Sequence, residues 1–278
     1  MKIIQLTDIH YGIRKEAIYG REPAFALRLA IESINKEHSD AEFCILTGDL
    51  THQGNLEAYK YLKSDLQTLK IPYYLVLGNH DDRANAQKVF PHLLSDSNGF
   101  VQYDYVTKSG EVFLMLDTLQ GHNATHSHAG FYCQARLEWL KDKLEQYKNN
   151  AIYLCLHHAP FNTGIQAMDS MRLNAQDSAK LYEALQTHRN IRHLFFGHYH
   201  STMGGKWGDI SFSSLKGISH QVKLNFNDTQ NVWLDFKNPE YSVILLDNKQ
   251  EPPTICVHYK DFIFNEKPCI QEPIQQTL

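Results

Sequence analysis

Tyr73-Tyr74-Leu75-Val76-Leu77-Gly78-Asn79-His80-Asp81 is an apolar run of strand length that stops on a glycine and then spells out polar, turn-forming residues. A buried strand accounts for the first five positions, because a short continuous apolar run bounded by turn signals fits a strand covered on both faces. A core has no use for the next four. Open α/β sheets build ligand sites from polar residues delivered at the carboxyl ends of their strands, and this segment has that form. The unit recurs along the chain. Lys2–Thr7 leads into Asp8-Ile9-His10, Phe43–Leu46 into Gly48-Asp49, Ala151–Leu156 into His157-His158, and Arg192–Phe196 into Gly197-His198-Tyr199-His200.

Between these strands, apolar residues recur at helical spacing over Pro23–Lys36, Asn55–Leu69, Gln134–Tyr147 and Asp177–Thr187. Further strands are expected at Val101–Tyr105 and Val112–Leu116. Strands alternating with helices predict a largely parallel α/β sheet, which gathers the five polar clusters at one edge however far apart they lie in the chain. Past about residue 205 the texture turns Gly-rich and alternating, and Ile210–Ser214, Val232–Phe236, Tyr241–Leu246 and Thr254–Tyr259 read as antiparallel strands. The segments Thr118–Phe131 and Phe161–Gln176 are long for connections and are expected to overhang the site.

Composition narrows the chemistry. The 278 residues are 42% hydrophobic and 21% charged, the balance of an ordinary globular protein. A net charge of -4 argues against a nucleic acid polymer as partner, which calls for a basic face. The first charged residues come too early for a secretory leader and no apolar run spans a bilayer, so no membrane is expected and a cytoplasmic location is. Five widely spaced cysteines without a CxxC pattern indicate neither a disulfide framework nor a thiolate metal site. Sixteen histidines are the excess, and nine of the positions in the polar clusters are His or Asp.

In Asp8-x-His10 and His198-x-His200 an extended chain would turn both side chains to one side, toward one ion or neighbouring ions. Gly48, Gly78 and Gly197 each precede a candidate ligand, where glycine tolerates close approaches. Imidazole with carboxylate and amide oxygen, and no thiolate, suits Mn, Fe, Zn or Co. Asp-x-His alone is common. Five clusters in order at five strand ends are not.

This set resembles the calcineurin-like metallophosphoesterase family, whose pattern is D-x-H, G-D, G-N-H-[DE], a later H and G-H-x-H, across about residues 1–200. The resemblance implies a four-layer α/β/β/α sandwich holding two divalent or mixed-valence transition metal ions. Asp8, His10, Asp49 and His200 would hold one; Asp49, Asn79, His157 and His198 would hold the other, with Asp49 as bridge. Within the family the chain is most similar to bacterial class III cyclic-nucleotide phosphodiesterases and related glycerophosphodiesterases, on Tyr19-Gly20, Gly78–Asp82, Gln166–Asp169 and Gly217–Val222. The last segment suggests that His220 lies near the substrate. Residues 1–220 are then the catalytic domain, and 221–278 are C-terminal strands and a tail that act as cap or homo-oligomerisation element.

The implied reaction is hydrolysis of a small phosphodiester, a 3',5'-cyclic nucleotide or a glycerophosphodiester, by a metal-bound hydroxide. His80, next to a ligand but free of the metals, is expected to stabilise charge or protonate the leaving oxygen, and Asp81 to support a catalytic imidazole. His52, His122, His126, His128 and His158 are candidates for the pocket wall. Competing readings are a phosphomonoesterase on the same fold, a non-catalytic scaffold, which would be expected to have lost ligands, and a nuclease, against which the acidic balance counts.

Overall fold

The computed structural model describes residues 1–13, 16–91, 93–120 and 128–262. The first part of the chain forms β1 (Lys2–Leu6), α1 (Pro23–Glu37), β2 (Phe43–Thr47), α2 (Leu56–Leu66), β3 (Tyr73–Val76) and α3 (Arg83–Val89). Next come β4 (Tyr103–Val106), β5 (Val112–Met115), α4 (Gln134–Gln146), β6 (Ile152–Cys155), α5 (Gln166–Asp169), α6 (Ala175–Leu185) and β7 (Ile191–Phe195). The remainder is β8 (Met203–Trp207), β9 (Ile210–Ser214), β10 (Gln221–Val222), β11 (Leu234–Asp235), β12 (Glu240–Asp247) and β13 (Thr254–Asp261).

Strand alternation explains how these elements stack. Phe113, Met115, Tyr153, Cys155 and Phe195 pack into one core with Ile3, Leu6 and Ile45, whereas Val112, Leu114, Ile152, Leu154 and Leu194 join Leu137, Leu140 and Leu144 of α4 and Leu181 of α6. Successive side chains point to opposite faces, so β5, β6 and β7 meet the other sheet on one face and helices on the other. Leu27, Ile31 and Ile34 of α1 and Leu62 and Leu66 of α2 cover the far side of the first sheet. The result is the four-layer α/β/β/α sandwich. One sheet runs β13-β12-β1-β2-β3, the other β4-β5-β6-β7-β9-β8, and β10-β11 is a separate small ladder. β1, β2 and β3 are mutually parallel, as are β5, β6, β7 and β9, so two sets of carboxyl ends converge at one edge.

Several features depart from the sequence reading; Ile210–Ser214, read as antiparallel, runs as β9 parallel to β7 and antiparallel to β8. The strands assigned to a C-terminal cap, β12 and β13, instead complete the first sheet, with β12 antiparallel to β1 from Lys2↔Leu245 to Gln5↔Ser242. The boundary at residue 220 therefore does not set off the whole of 221–278, and the expected arm 266–278 lies outside the described residues. α3 has too short an apolar pattern to show; Asp82 caps it, accepting the Asn85 N–H. α6 begins two residues early because Asn174 caps it through the Asp177 N–H. No helix among the described residues is long and apolar enough to cross a membrane.

Candidate metal centre

The clusters leave their strands on sharp turns. Asp8, His10, Asp49, His198 and His200 have φ of 50°, 48°, 49°, 69° and 47°. Left-handed backbone at residues other than glycine costs on the order of 1–3 kcal/mol when held against preference, and it concentrates at functional sites. The expected extended i, i+2 geometry is thus replaced by a kink at each residue, and the kinks separate His198 from His200. Close approach explains the neighbouring glycines. A Cβ on Gly48 would lie 2.3 Å from His157 Nδ1, and one on Gly78 would lie 2.3 Å from Asp49 Oδ1.

One nest gathers Asp8, His10, Asp49 and His200, whose donor atoms all lie within 4.8 Å of one another. His200 Nε2 is 3.2 Å from both His10 Nε2 and Asp8 Oδ1. Beside it, His157 Nε2 is 3.2 Å from Asn79 Oδ1, with the His198 ring centroid 5.2 Å from that of His157. Asp49 Oδ2 stands between the two nests, 3.5 Å from His10 Nε2 and 3.4 Å from His157 Nε2, while its Oδ1 accepts the His80 backbone N–H at 2.8 Å. The structure therefore brings all seven expected ligands together, with Asp49 in the middle.

The backs of the ligands are fastened. His157 Nδ1 donates to the Thr47 carbonyl at 2.8 Å and His200 Nδ1 to the His220 carbonyl at 2.7 Å, which turns each Nε2 toward the nest. Asp8 Oδ2 accepts from Thr7 Oγ1 at 2.8 Å, and the His198 N–H reaches both Asp8 oxygens at 3.1 Å. His198 Nε2 is buried without a hydrogen-bond partner among the described residues. Buried polar atoms almost always have partners, and a cation would supply one here. This orphaned nitrogen and the nitrogen-and-oxygen donor set fit a dinuclear transition-metal site.

Electrostatics agree. Burial alone would raise Asp49 and Asp8, yet the surrounding imidazoles hold both carboxyls below the usual carboxylate range. Burial pushes His10 well down and takes His198 to about 3, so both are neutral donors. At His157 the pull of Asp49 and Asp8 overcomes burial and raises the ring to about 9. A metal there would displace a proton.

The other expected residues divide. His80 lines the cavity in front of the nests, and its Nδ1 donates to the His52 carbonyl at 2.8 Å. His220 also lines it, its ring centroid 4.2 Å from that of His200, and its carbonyl adds the unforeseen task of orienting His200. Asp81 departs from its expected role. Its buried carboxylate accepts N–H groups from Gly78 (2.9 Å), Leu50 (3.0 Å) and Thr51 (3.1 Å) and the Tyr59 hydroxyl (2.8 Å), not an imidazole. It ties the turn after β2 to the turn after β3. Burial, with Asp49 nearby, raises it to about 6.

Among the wall candidates, His52 proves to be a neighbour of a ligand, with Nδ1 3.3 Å from His10 Nδ1 and its ring stacked on His80. Its one sequence signal is its place three residues after Asp49. His128 sits 3.0 Å from the Asn79 amide and lines the cavity. Both nitrogens of His158 are engaged, by Thr118 Oγ1 and the His128 carbonyl. His122 and His126 lie outside the described residues.

Comparisons with known proteins bear on this arrangement. The family model for calcineurin-like phosphoesterases matches residues 1–202. A probable cyclic nucleotide phosphodiesterase of Rhodopseudomonas palustris is 36% identical, over 95% of this chain and 94% of its own. A probable glycerophosphodiester phosphodiesterase of Arcobacter nitrofigilis is 26% identical, over 93% of this chain and 88% of its own. Among solved structures, a purple acid phosphatase from yellow lupin seeds superposes with a TM-score of 0.64 at 11% identity, covering 94% of this chain and 51% of that one, which is a likeness of fold. With the family pattern filled at every position and its model matched over most of the length, the chain belongs to the calcineurin-like phosphoesterase family.

Proposed function

We propose that this chain is a dinuclear-metal phosphodiesterase acting on small diesters. Asp8, His10, Asp49 and His200 hold one ion and Asp49, Asn79, His157 and His198 the other. When bound, the pair supplies Lewis-acid polarisation of the phosphoryl group and activation of water.

The observation that carries the diester reading is the cavity in front of the nests, about 340 Å³, which has no lysine or arginine among the described residues that line it. Opposite the nests its wall is Met168, Met171, Val222, Val232 and Leu234. A monoester brings nearly two negative charges and calls for fixed cations beyond the metals; a diester brings one charge and a second substituent that an apolar wall can grip. The two arginines nearest the overhanging loops are committed elsewhere. Arg136 donates to the carbonyls of Asp117 and Phe131, both at 2.7 Å, and Arg172 to Asn162 Oδ1 at 2.6 Å and Ser178 Oγ at 3.0 Å.

His80 takes the leaving group. Because its Nδ1–H is given to the His52 carbonyl, a proton on Nε2 makes the ring cationic, able to stabilise and then protonate the departing oxygen. Of the two diester classes, cyclic nucleotides are favoured, since a base can lie on the apolar wall whereas glycerol hydroxyls find few partners there. The similarity to the Rhodopseudomonas palustris protein, itself named a probable cyclic nucleotide phosphodiesterase, supports the same choice.

Steady-state kinetics on bis(p-nitrophenyl) phosphate and p-nitrophenyl phosphate at equal metal loading test this reading. A higher kcat/KM for the diester is expected, and clear preference for the monoester would overturn it. A parallel comparison of 3',5'-cAMP with a glycerophosphodiester tests the substrate class.

A further inference from the structure

A second large concavity, about 690 Å³, opens at the other end of the sandwich. It lies at the amino ends of β6, β7 and β9, whereas the metal nests lie past the carboxyl ends of β6 and β7. Its volume falls within the range of about 300–1,000 Å³ typical of small-molecule sites. Its charge is the reverse of the metal cavity's. Arg189, just past α6, Arg192 at the head of β7 and Lys206 on β8 line it, against one lining acid, Asp209. Among the described residues none of these three cations forms an ion pair or a side-chain hydrogen bond, unlike Lys2, Arg83 or Lys143 elsewhere. Three uncommitted cations around one hollow stand out in a chain of net charge -4. Two guanidinium forks with an ammonium match a tetrahedral dianion, because arginine offers paired donors that reach two phosphate oxygens at once.

We propose that this hollow binds a small phosphomonoester, the chemical class that diester hydrolysis releases, at a site separate from the metals. The anion preference rests on the residues here, and only the choice of phosphomonoester rests on the proposed diesterase activity. The ligand's phosphate lies between Arg189 and Arg192 with Lys206 across the hollow, and Gln186 offers its amide to the organic portion.

Titration calorimetry of the manganese-loaded enzyme with inorganic phosphate and with 5'-AMP tests the site. Two binding events are expected, one at the metals and one here, with AMP the tighter of the two probes at this second site. The Arg189→Ala/Arg192→Ala double variant should lose the second event, weakening it by about tenfold or more per arginine as expected for a charge-assisted contact. Lys206→Glu, on an exposed strand position, should weaken it independently, and kcat/KM for bis(p-nitrophenyl) phosphate should not change in either variant. A single event in the unaltered enzyme, or two events that survive both variants, would overturn the site and leave the cations serving only the carboxyl end of α6 and solubility. Phosphate bound as tightly as AMP would overturn the phosphomonoester identity. Absence of diester turnover in an enzyme that keeps both events would count against the proposed activity and not against the site.

Discussion

The two halves of the metal centre are alike in their imidazoles and unlike in charge. His10 and His200 share their nest with two carboxylates, Asp8 and Asp49, while His157 and His198 have the shared Asp49 and the neutral amide of Asn79, with Asp8 farther off, its Oδ1 4.0 Å from His157 Nε2. A unit charge pair at about 4 Å is worth about 4 kcal/mol at an effective dielectric constant near 20, so the half that has Asp8 as a direct neighbour, 3.2 Å from His200 Nε2, draws a cation more strongly than the half Asp8 reaches at 4.0 Å. The first half is also the better fastened, since Asp8 is buried and held by Thr7 and the His198 N–H, whereas Asn79 is half-buried and touches His128 at the cavity mouth. On the proposed assignment the charged half anchors its ion, and the neutral half exchanges its ion and stays open to substrate.

The largest effect should come from the residue common to both halves. Asp49→Ala is expected to empty both positions and abolish turnover, measured as metal per chain after desalting; two well-filled sites in that variant would refute the bridge. Next in size is His80→Ala, which should keep both metals and lower kcat by about 10²–10⁴-fold, with a smaller loss for a p-nitrophenyl leaving group than for an alkyl one. Equal losses for the two would favour charge stabilisation over proton transfer.

Asn79→Ala sharpens the contrast between the halves. It should retain about one ion per chain, and graded chelation of the unaltered enzyme should remove one ion before the other; simultaneous loss would contradict the asymmetry. The smallest change is expected for Asp81→Asn. An amide can keep some of the four contacts but sets its NH₂ against N–H donors, at a cost of about 1–3 kcal/mol in stability. Thermal melts should show that loss, while the ratio of aryl to alkyl diester turnover stays constant. A change in that ratio would return Asp81 to a direct part in leaving-group chemistry.

The strands and their polar ends were legible in the sequence because each carries a local signal: an apolar run followed by ligand-type residues, with a glycine between them at Gly48, Gly78 and Gly197. The placement of β12 and β13 was not, since alternation reveals a strand but not its partner, and the pairing of Leu245 with Lys2 joins opposite ends of the described chain. Asp81 shows the limit at the site. Beside His80 it resembles a carboxylate that orients an imidazole, and only the fold reveals three backbone N–H groups waiting for it. His52 behind His10 and the His220 carbonyl behind His200 were hidden for the same reason, being contacts made across turns and not along the chain. The kinked φ values likewise leave no mark on residue type, because Asp and His tolerate the left-handed region well enough to occupy it without glycine.

Titrating manganese into the metal-free enzyme while following both bound metal and hydrolysis of bis(p-nitrophenyl) phosphate tests the central claim most directly. Turnover should stay low through the first equivalent, rise with the second and level off at two per chain. Full activity at one equivalent, or none at any loading, would contradict a diesterase that works through two dissimilar halves joined at Asp49.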